Sequence, residues 1–503
     1  MKKTVWLVLV FAVIFLVIGC GDKGTDNKPG EDAGLGDAEN PEKAAEGGED
    51  DALAELVDSY ELPVMDFAGH EFNILGHIGE TGGEVWQSRE IAAEAMDGDL
   101  LNDAVYSRNR QIEEKYNVKI GGIYKAWFGG MLGDVKKMVG AGDSYYDAVM
   151  LNFEDASKAS QAGYLTDLKA VPHIDLSMPW WAQNLVGETS VMGRLYYCAG
   201  DMTLLAREGT WTMMFNKKML GDYGLENPYE IVKSGNWTTD KFIEMSKGVS
   251  KDLNGDQKWD EGDQYGFATT FDSVRGLFYS CGLRILAKDA DDTLRFTLGQ
   301  DNRAVGVFEK IYEIMRGADN ITMIMEDFGV GDGSNIQAAF EQGRALFYGE
   351  VMQCVIRLRQ TETEFGILPF PKADAKQGMY YTNVHRFASS TVAIPVSVDN
   401  MERSGLIMEA LAHGSKKYVQ PAYYERALKS KFLRDDESSE MLDILFAGQS
   451  ADLGDINNVG GLMTDFVSNV SRKNPDFAST IEKKAGKIQS DLDKIVAAYA
   501  GIE

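Results

Sequence analysis

Apolar and polar positions divide the body of this chain into a regular series of predicted elements. Residues 72–75 read as a short apolar strand, followed by a glycine-rich loop over 76–83 and a helical stretch that includes Trp86 and Ile91. Over residues 100–114 the spacing puts Leu101, Ala104, Val105 and Ile112 on one helical face with charges opposite. Residues 118–123 are the next strand. A helix over 131–139 shares Leu132, Val135, Met138 and Val139 on one face and stops at Gly140, and 147–151 is a third strand. Strand, helix, strand, helix, strand is the order of a parallel sheet with crossover helices. Ligands gather at the carboxyl ends of strands in such sheets, here near His77 and near residues 152–155.

A second block spans residues 211–267. An apolar strand over 212–215 meets Asn216, then a short amphipathic segment, 217–223, that stops at Gly224, a residue suited to a left-handed cap. Thr238 or Thr239 caps a helix over 240–247 that carries Phe242, Ile243 and Met245 and ends at Gly248. This order resembles the extracellular solute-binding proteins of ABC importers, the large sugar-binding type (family 1), in which a Tyr-Asn-Lys strand end, a Gly-Leu turn and a Thr-Trp helix start recur. Phe215 stands here for the Tyr, and Trp237 precedes the Thr pair. Residues 101–118 and 423–445 resemble one bacterial subfamily of the same proteins, and the likeness covers most of residues 66–450.

The resemblance implies an α/β, periplasmic-binding-protein-like fold: two α/β lobes of discontinuous chain, a multi-strand hinge, a helical C-terminal tail, and solute held between the lobes. Lobe I is expected to take residues 66–188 plus 372–415, and lobe II residues 189–371 plus 416–503. The first crossing is expected near 188–193, with a new strand starting at 192–196. A return falls near 365–372, where two prolines stop a strand. Residues 391–395 resume lobe I, and the last crossing lies near 412–416.

Length and charge narrow the picture. At 503 residues and 44% hydrophobic content the chain can bury a large core and fill more than one domain, while a net charge of -28 disfavours a nucleic-acid partner. Residues 22–58 hold thirteen Asp/Glu against three Lys, too little apolar surface to order themselves, so 20–65 read as a disordered acidic tether. Ahead of it, Lys2 and Lys3 precede an apolar run over 5–18, shorter than a spanning helix, as in a signal peptide over residues 1–19. Val17-Ile18-Gly19-Cys20 resembles a bacterial lipobox, which implies a lipidated Cys20, a lipoprotein on the extracellular face of the cell membrane, and ABC permease subunits as partners; a monomer is expected. The alternative is an ordinary secretory signal. Cys198, Cys281 and Cys354 sit among apolar or aromatic neighbours and read as buried thiols, although one pair can still bridge.

Candidate chemistry is that of binding. G-x-S-x-G, G-x-x-x-x-G-K-[ST], H-E-x-x-H and C-x-x-C are all missing, and the five His are far apart, so no catalytic residue or catalytic cofactor is assigned. A sugar offers hydroxyls to hydrogen-bond and C–H faces to stack on aromatic rings. The candidate ligand-binding residues are His77, Glu80, Trp86, Asn152 and Glu154 from the first lobe and Asp201, Arg207 and Trp211 near the hinge, with Glu350, Tyr380, Tyr381, Asn383 and Arg386 completing the set. Trp180, Trp181 and Trp237 read as core. Asp252, Asn254, Asp256, Lys258, Asp260 and Asp263 occupy positions 1, 3, 5, 7, 9 and 12 of a calcium loop and resemble the loops of dockerin modules, which implies a structural Ca2+. Gln257 stands where Gly normally makes the sharp turn, and an acidic turn without metal is the alternative. The function expected is capture of a carbohydrate, an oligosaccharide, for import. A binding protein for peptides or other polar solutes, or a surface glycan-binding protein that does not transport, would share the architecture.

Overall fold

The first sheet is built on β1 (His70–Ile78), which pairs in parallel with β2 (Val118–Ala126) and with β3 (Ala148–Val149), in the order β2-β1-β3. Alternation along these strands buries both faces. Phe72, Ile74 and Ala148 enter one apolar cluster, and Leu75 and Val149 enter another on the opposite side. Crossover helices Leu100–Tyr116 and Met131–Ala141 connect the strands, as the spacing predicts. The second helix stops at Gly142, in the left-handed region at φ 67°, and runs through Gly140. The computed structural model describes residues 51–78, 86–126, 130–358, 361–428 and 436–502. Residues 1–50, with the signal segment and Cys20, lie outside the described residues, as do Glu80 and residues 429–435. Of Met1–Leu56, residues 51–56 are helical, and Val57–Glu503 forms a compact unit of its own.

The second sheet contains β4 (Trp211–Asn216), β5 (Tyr265–Thr269), β8 (Thr322–Ile324), β9 (Ala345–Val351) and β10 (Phe365–Leu368), in the order β10-β4-β9-β5-β8. β8, β5 and β9 are mutually parallel, and β4 runs against β9 and β10. The antiparallel turn of β4 places Trp211 opposite Val351, so the start of β4 shares an edge with the carboxyl ends of β5 and β9. Here too period two buries both faces: Met213, Phe215, Phe267 and Phe347 on one side, Met214, Ala268 and Tyr348 on the other. Pro369 follows β10, so the strand ends where the sequence predicts. Two small pairings lie apart, β6 (Leu286–Lys288) with β7 (Leu294–Phe296), and β11 (Thr382–Asn383) with β12 (Gln449–Ser450).

Local signals hold where they rest on a hydrogen bond. Asn216 Oδ1 accepts from Met219 N–H at 2.9 Å and caps Lys217–Asp222, Gly224 follows at φ 61°, and Thr238 caps Thr239–Val249. Such caps are worth about 1 kcal/mol each. The last helix passes through Gly248 to Val249. Two expectations fail. Residues 86–98 contain no helix, since Trp86 has φ 60°, and 192–196 begin no strand. Met192 and Gly193, at φ 52° and 77°, instead turn a tight hairpin closed by a bridge between Val191 and Arg194.

The sheets are joined by two facing segments, 198–210 and 384–392. Cys198 pairs with Val392 beside the first sheet, and Thr210 pairs with Val384 beside the second. A Cβ on Gly209 would lie 2.0 Å from the Ala388 carbonyl oxygen, so only glycine permits this approach. Residues 412–416, where the last crossing is expected, continue helix Met401–Gly414 into a π-turn, Ser415–Val419. A common apolar layer runs from Leu75 and Val149 through Tyr196, Tyr197 and Tyr499 to Trp211 and Phe347. The tail helix, Ala478–Ala500, contributes Tyr499, whose hydroxyl meets Ser160 Oγ at 2.9 Å. Tyr60, which composition groups with the tether, packs against Trp180 at 4.6 Å. Cys198, Cys281 and Cys354 are free and buried.

Candidate functional site

The helix after β3 starts at the carboxyl edge of the first sheet, where Asn152 Oδ1 accepts from Asp155 N–H at 2.8 Å and caps Phe153–Gln161. Its first turn presents Glu154, whose carboxylate lies 3.5 Å from Arg386 Nε. Arg386 belongs to the joining segment and donates to the Asp455 carbonyl oxygen at 2.6 Å, with the Asp455 carboxylate at 3.3 Å. Asp455 also pairs with Arg275, and Arg275 lies 3.4 Å from Asp272, which directly follows the β5 edge. Asp272 in turn is 3.9 Å from His385 Nε2. His385 Nδ1 accepts from Phe387 and Ala388 N–H at 3.2 and 2.9 Å, so its ring proton sits on Nε2, toward Asp272. Five side chains of alternating charge, followed by the His385 ring, therefore run from the carboxyl edge of one sheet to that of the other.

Around this chain lie half-exposed aromatic and acidic groups. Glu350, next to last in β9, accepts from Val351 N–H at 3.1 Å, and burial raises its carboxyl above the usual range. Glu326 accepts Phe271 N–H through both oxygens, at 3.2 and 3.1 Å, and burial raises it likewise. Burial would also raise Asp272, but the neighbouring His385 and the charge of Arg275 outweigh it and hold that carboxyl well below the usual range. Phe271 and Phe387 are half-buried, and the Trp211 ring lies 6.0 Å from His385.

The structure brings Glu154, Trp211, Glu350 and Arg386 to this edge and gives most of the other candidates different work. His77 is buried and its imidazole is pushed down to about 4 by desolvation, so it carries no charge at neutral pH. Trp86 packs against the large apolar cluster. Asp201 is spent on a buried pair with Arg207, whose guanidinium covers the Phe446 ring at 4.6 Å. Tyr380 is core: its hydroxyl accepts from Trp237 N–H at 3.2 Å and donates to Val232 O at 3.1 Å. Asn383 is buried in β11, and Tyr381, half-exposed, lies under Arg284 at 4.9 Å. Trp180, Trp181 and Trp237 are core. Phe271, Asp272, Arg275, Glu326, His385 and Asp455 went unpredicted. The carboxyl end of β5, three residues before Asp272, could have flagged Phe271 and Asp272, whereas nothing local marks Asp455, 180 residues from Arg275.

No protein-family model and no curated protein matches the sequence. Solved structures do match. An ABC substrate-binding protein from Listeria monocytogenes, in complex with cycloalternan, aligns with a TM-score of 0.54 at 12% identity, over 84% of this chain and 99% of that one. A cyclo/maltodextrin-binding protein complexed with maltotetraose aligns with a TM-score of 0.54 at 12% identity, over 88% and 98%. UgpB from Mycobacterium tuberculosis, in complex with glycerophosphocholine, aligns with a TM-score of 0.53 at 13% identity, over 78% and 95%. The fold is that of the solute-binding proteins of ABC importers. These neighbours of the solute-binding-protein fold are binding proteins rather than enzymes, and no described helix is long and apolar enough to cross a membrane.

Two further features lie apart from the edge. Residues 252–263 form a tight acidic loop in which Asp252 accepts from Gly255 and Gln257 N–H at 2.7 and 2.8 Å, Asn254 from Asp256 at 2.8 Å, and Asp256 from Lys258 at 2.8 Å. Asp263 ties Leu253 and Asp260, both at 2.9 Å, and Gln257 adopts φ 65°, the conformation glycine supplies at position 6 of calcium loops. Among the described residues no three His, Cys, Asp or Glu side chains converge as a metal cage. A cavity of about 870 Å3 runs along β2, lined by Tyr106, Arg110, Glu113 and Tyr124, and holds none of the edge residues.

Proposed function

We propose that this chain is the lipid-anchored, extracellular binding subunit of an ABC importer, which captures a carbohydrate, an oligosaccharide, between lobes I and II and delivers it to the permease. One observation carries the reading: the carboxyl edges of both sheets are linked across the 384–392 segment, where Glu154, Asp272, Glu350, Arg386 and His385 share the edge with half-buried Phe271 and Phe387. Charged groups there can bond hydroxyls, and the rings can face sugar C–H surfaces. The neighbours holding cycloalternan and maltotetraose support this class of ligand. A solute touching both edges favours the closed form by its differential affinity for closed over open.

The remaining parts of the proposal are lobe boundaries at 188/189, 371/372 and 415/416, thioether lipidation of Cys20, and one structural Ca2+ in the 252–263 loop. Each buried acyl methylene contributes about 0.8 kcal/mol to membrane retention. Isothermal titration with neutral oligosaccharides, read beside small-angle scattering, tests the central part. Binding by at least one oligosaccharide with a smaller radius of gyration supports it, and a broad glycan screen without a binder removes the sugar. The UgpB neighbour favours a second reading, a polar non-sugar solute such as a glycerophosphodiester, which the same titration separates.

A further inference from the structure

Charge matching at the shared edge is unequal. Glu154 is met by Lys158 and Arg386, Asp455 by Arg386 and Arg275, and Asp272 by Arg275 and His385. Glu326 and Glu350 are met only by a backbone N–H each, with no cation within 4.0 Å among the described residues. Arg357, whose charge acts on the Glu350 carboxyl without meeting it, turns its guanidinium to the Cys354 sulfur at 2.6 Å. Arg316, close to Glu326, is bound by Asp327 and lies over the Phe271 ring at 4.9 Å. Two half-buried carboxylates are thus left in excess around one patch of aromatic surface.

A second, independent feature belongs to the same patch. Trp211 is 2% exposed, stands opposite Val351 in register beside Glu350, and its indole N–H has no acceptor. An indole N–H is a donor only, and leaving it unbonded in a buried place is costly. The edge therefore lacks a cation for two carboxylates and an oxygen acceptor for one N–H. A hydroxylated ligand bearing a protonated amine supplies both. A carboxylated or phosphorylated sugar brings the acceptor but adds a like charge.

We propose that the inter-lobe site selects amine-bearing sugars, amino-sugar oligosaccharides above all, with Glu350 and Glu326 as the groups that receive the ammonium. The inference rests on the carbohydrate reading given above and narrows it. Trp211 takes a ligand oxygen, while the rings of Phe271 and Phe387, already covered by the Arg316 and Arg386 guanidinium groups at 4.9 and 4.5 Å, offer the sugar apolar contact. Uncharged sugars bind more weakly, and uronates are rejected.

Matched ligands test it on the full folded chain. Isothermal titration is run with chito-oligosaccharides, their deacetylated glucosamine counterparts of equal length, neutral malto-oligosaccharides and oligogalacturonates, at one ionic strength. Deacetylated oligomers are expected to bind at least tenfold more tightly than the N-acetylated ones, a difference that shrinks as salt is raised, with no binding by uronates. Glu350→Gln and Glu326→Gln are each expected to reduce that ratio severalfold by weakening the deacetylated oligomer more than the N-acetylated one, with a single cooperative unfolding transition retained, which separates recognition from folding. Equal binding of neutral and deacetylated oligomers, or tight binding of uronates, overturns the inference and leaves the carbohydrate reading standing. Absence of binding by all four series overturns both.

Discussion

Replacing Asp455 with Asn is the sharpest perturbation of the chain of charges between the sheets. The Asp455 side chain is 4% exposed and stands between Arg275 and Arg386, each 9% exposed. Asn keeps the shape and one oxygen but removes the charge that both guanidinium groups share. Removing one member of a buried ion pair costs about 3–5 kcal/mol, because the partner stays buried without compensation. Here each arginine keeps a second carboxylate, Asp272 at 3.4 Å and Glu154 at 3.5 Å, so a loss toward the lower figure, about 3 kcal/mol, is expected. Urea unfolding followed by tryptophan fluorescence and by circular dichroism reads it, provided the two transitions coincide. A cycle with Glu154→Gln adds a stricter check. The two carboxylates act through Arg386, so their effects should couple by at least about 0.5 kcal/mol. A loss below about 0.5 kcal/mol for Asp455→Asn, the size of an ordinary surface change, with no coupling, would refute the network.

Stability should also fall as pH rises from about 4.5 to 7. Glu409 is held by Trp180 and Trp181 N–H at 2.8 and 3.1 Å, yet burial raises its carboxyl to about 7, and burial raises Glu90 to about 7 as well. A carboxyl with a raised folded pKa stabilises fully below its unfolded value, and the contribution is lost as pH climbs through the folded one. Urea midpoints measured across that window should decline, and Glu409→Gln should flatten the decline; an unchanged slope would contradict the assignment. Calcium is tested by titration against chelated protein, where one ion per chain and a higher melting temperature are expected, and Asp252→Ala should abolish both.

The elements that sequence reveals best are those whose causes are local. Short apolar runs predict β1 and β4, and single hydrogen bonds accepted by Asn216 and Thr238 make their helix starts predictable. The joining segments touch through isolated bridges such as Cys198 with Val392, which have no periodicity to read, so the strand expected at 192–196 is a hairpin instead. Aromatic residues mislead for a related reason. Tyr380 looks like a loop platform until its hydroxyl is found bridging Trp237 and Val232 in the core. The rule that ligands gather at carboxyl ends points to Glu154 and would have pointed to Asp272, but Asp455 and His385 reach the edge through tertiary contacts.

Hydrogen–deuterium exchange with and without the tightest-binding oligosaccharide tests most directly whether the two sheet edges make one cleft. Slower exchange on ligand addition is expected together at 152–157, 270–275, 350–353 and 385–390, and not along β2. Protection confined to one sheet, or centred on the cavity lined by Tyr106 and Tyr124, would contradict the account.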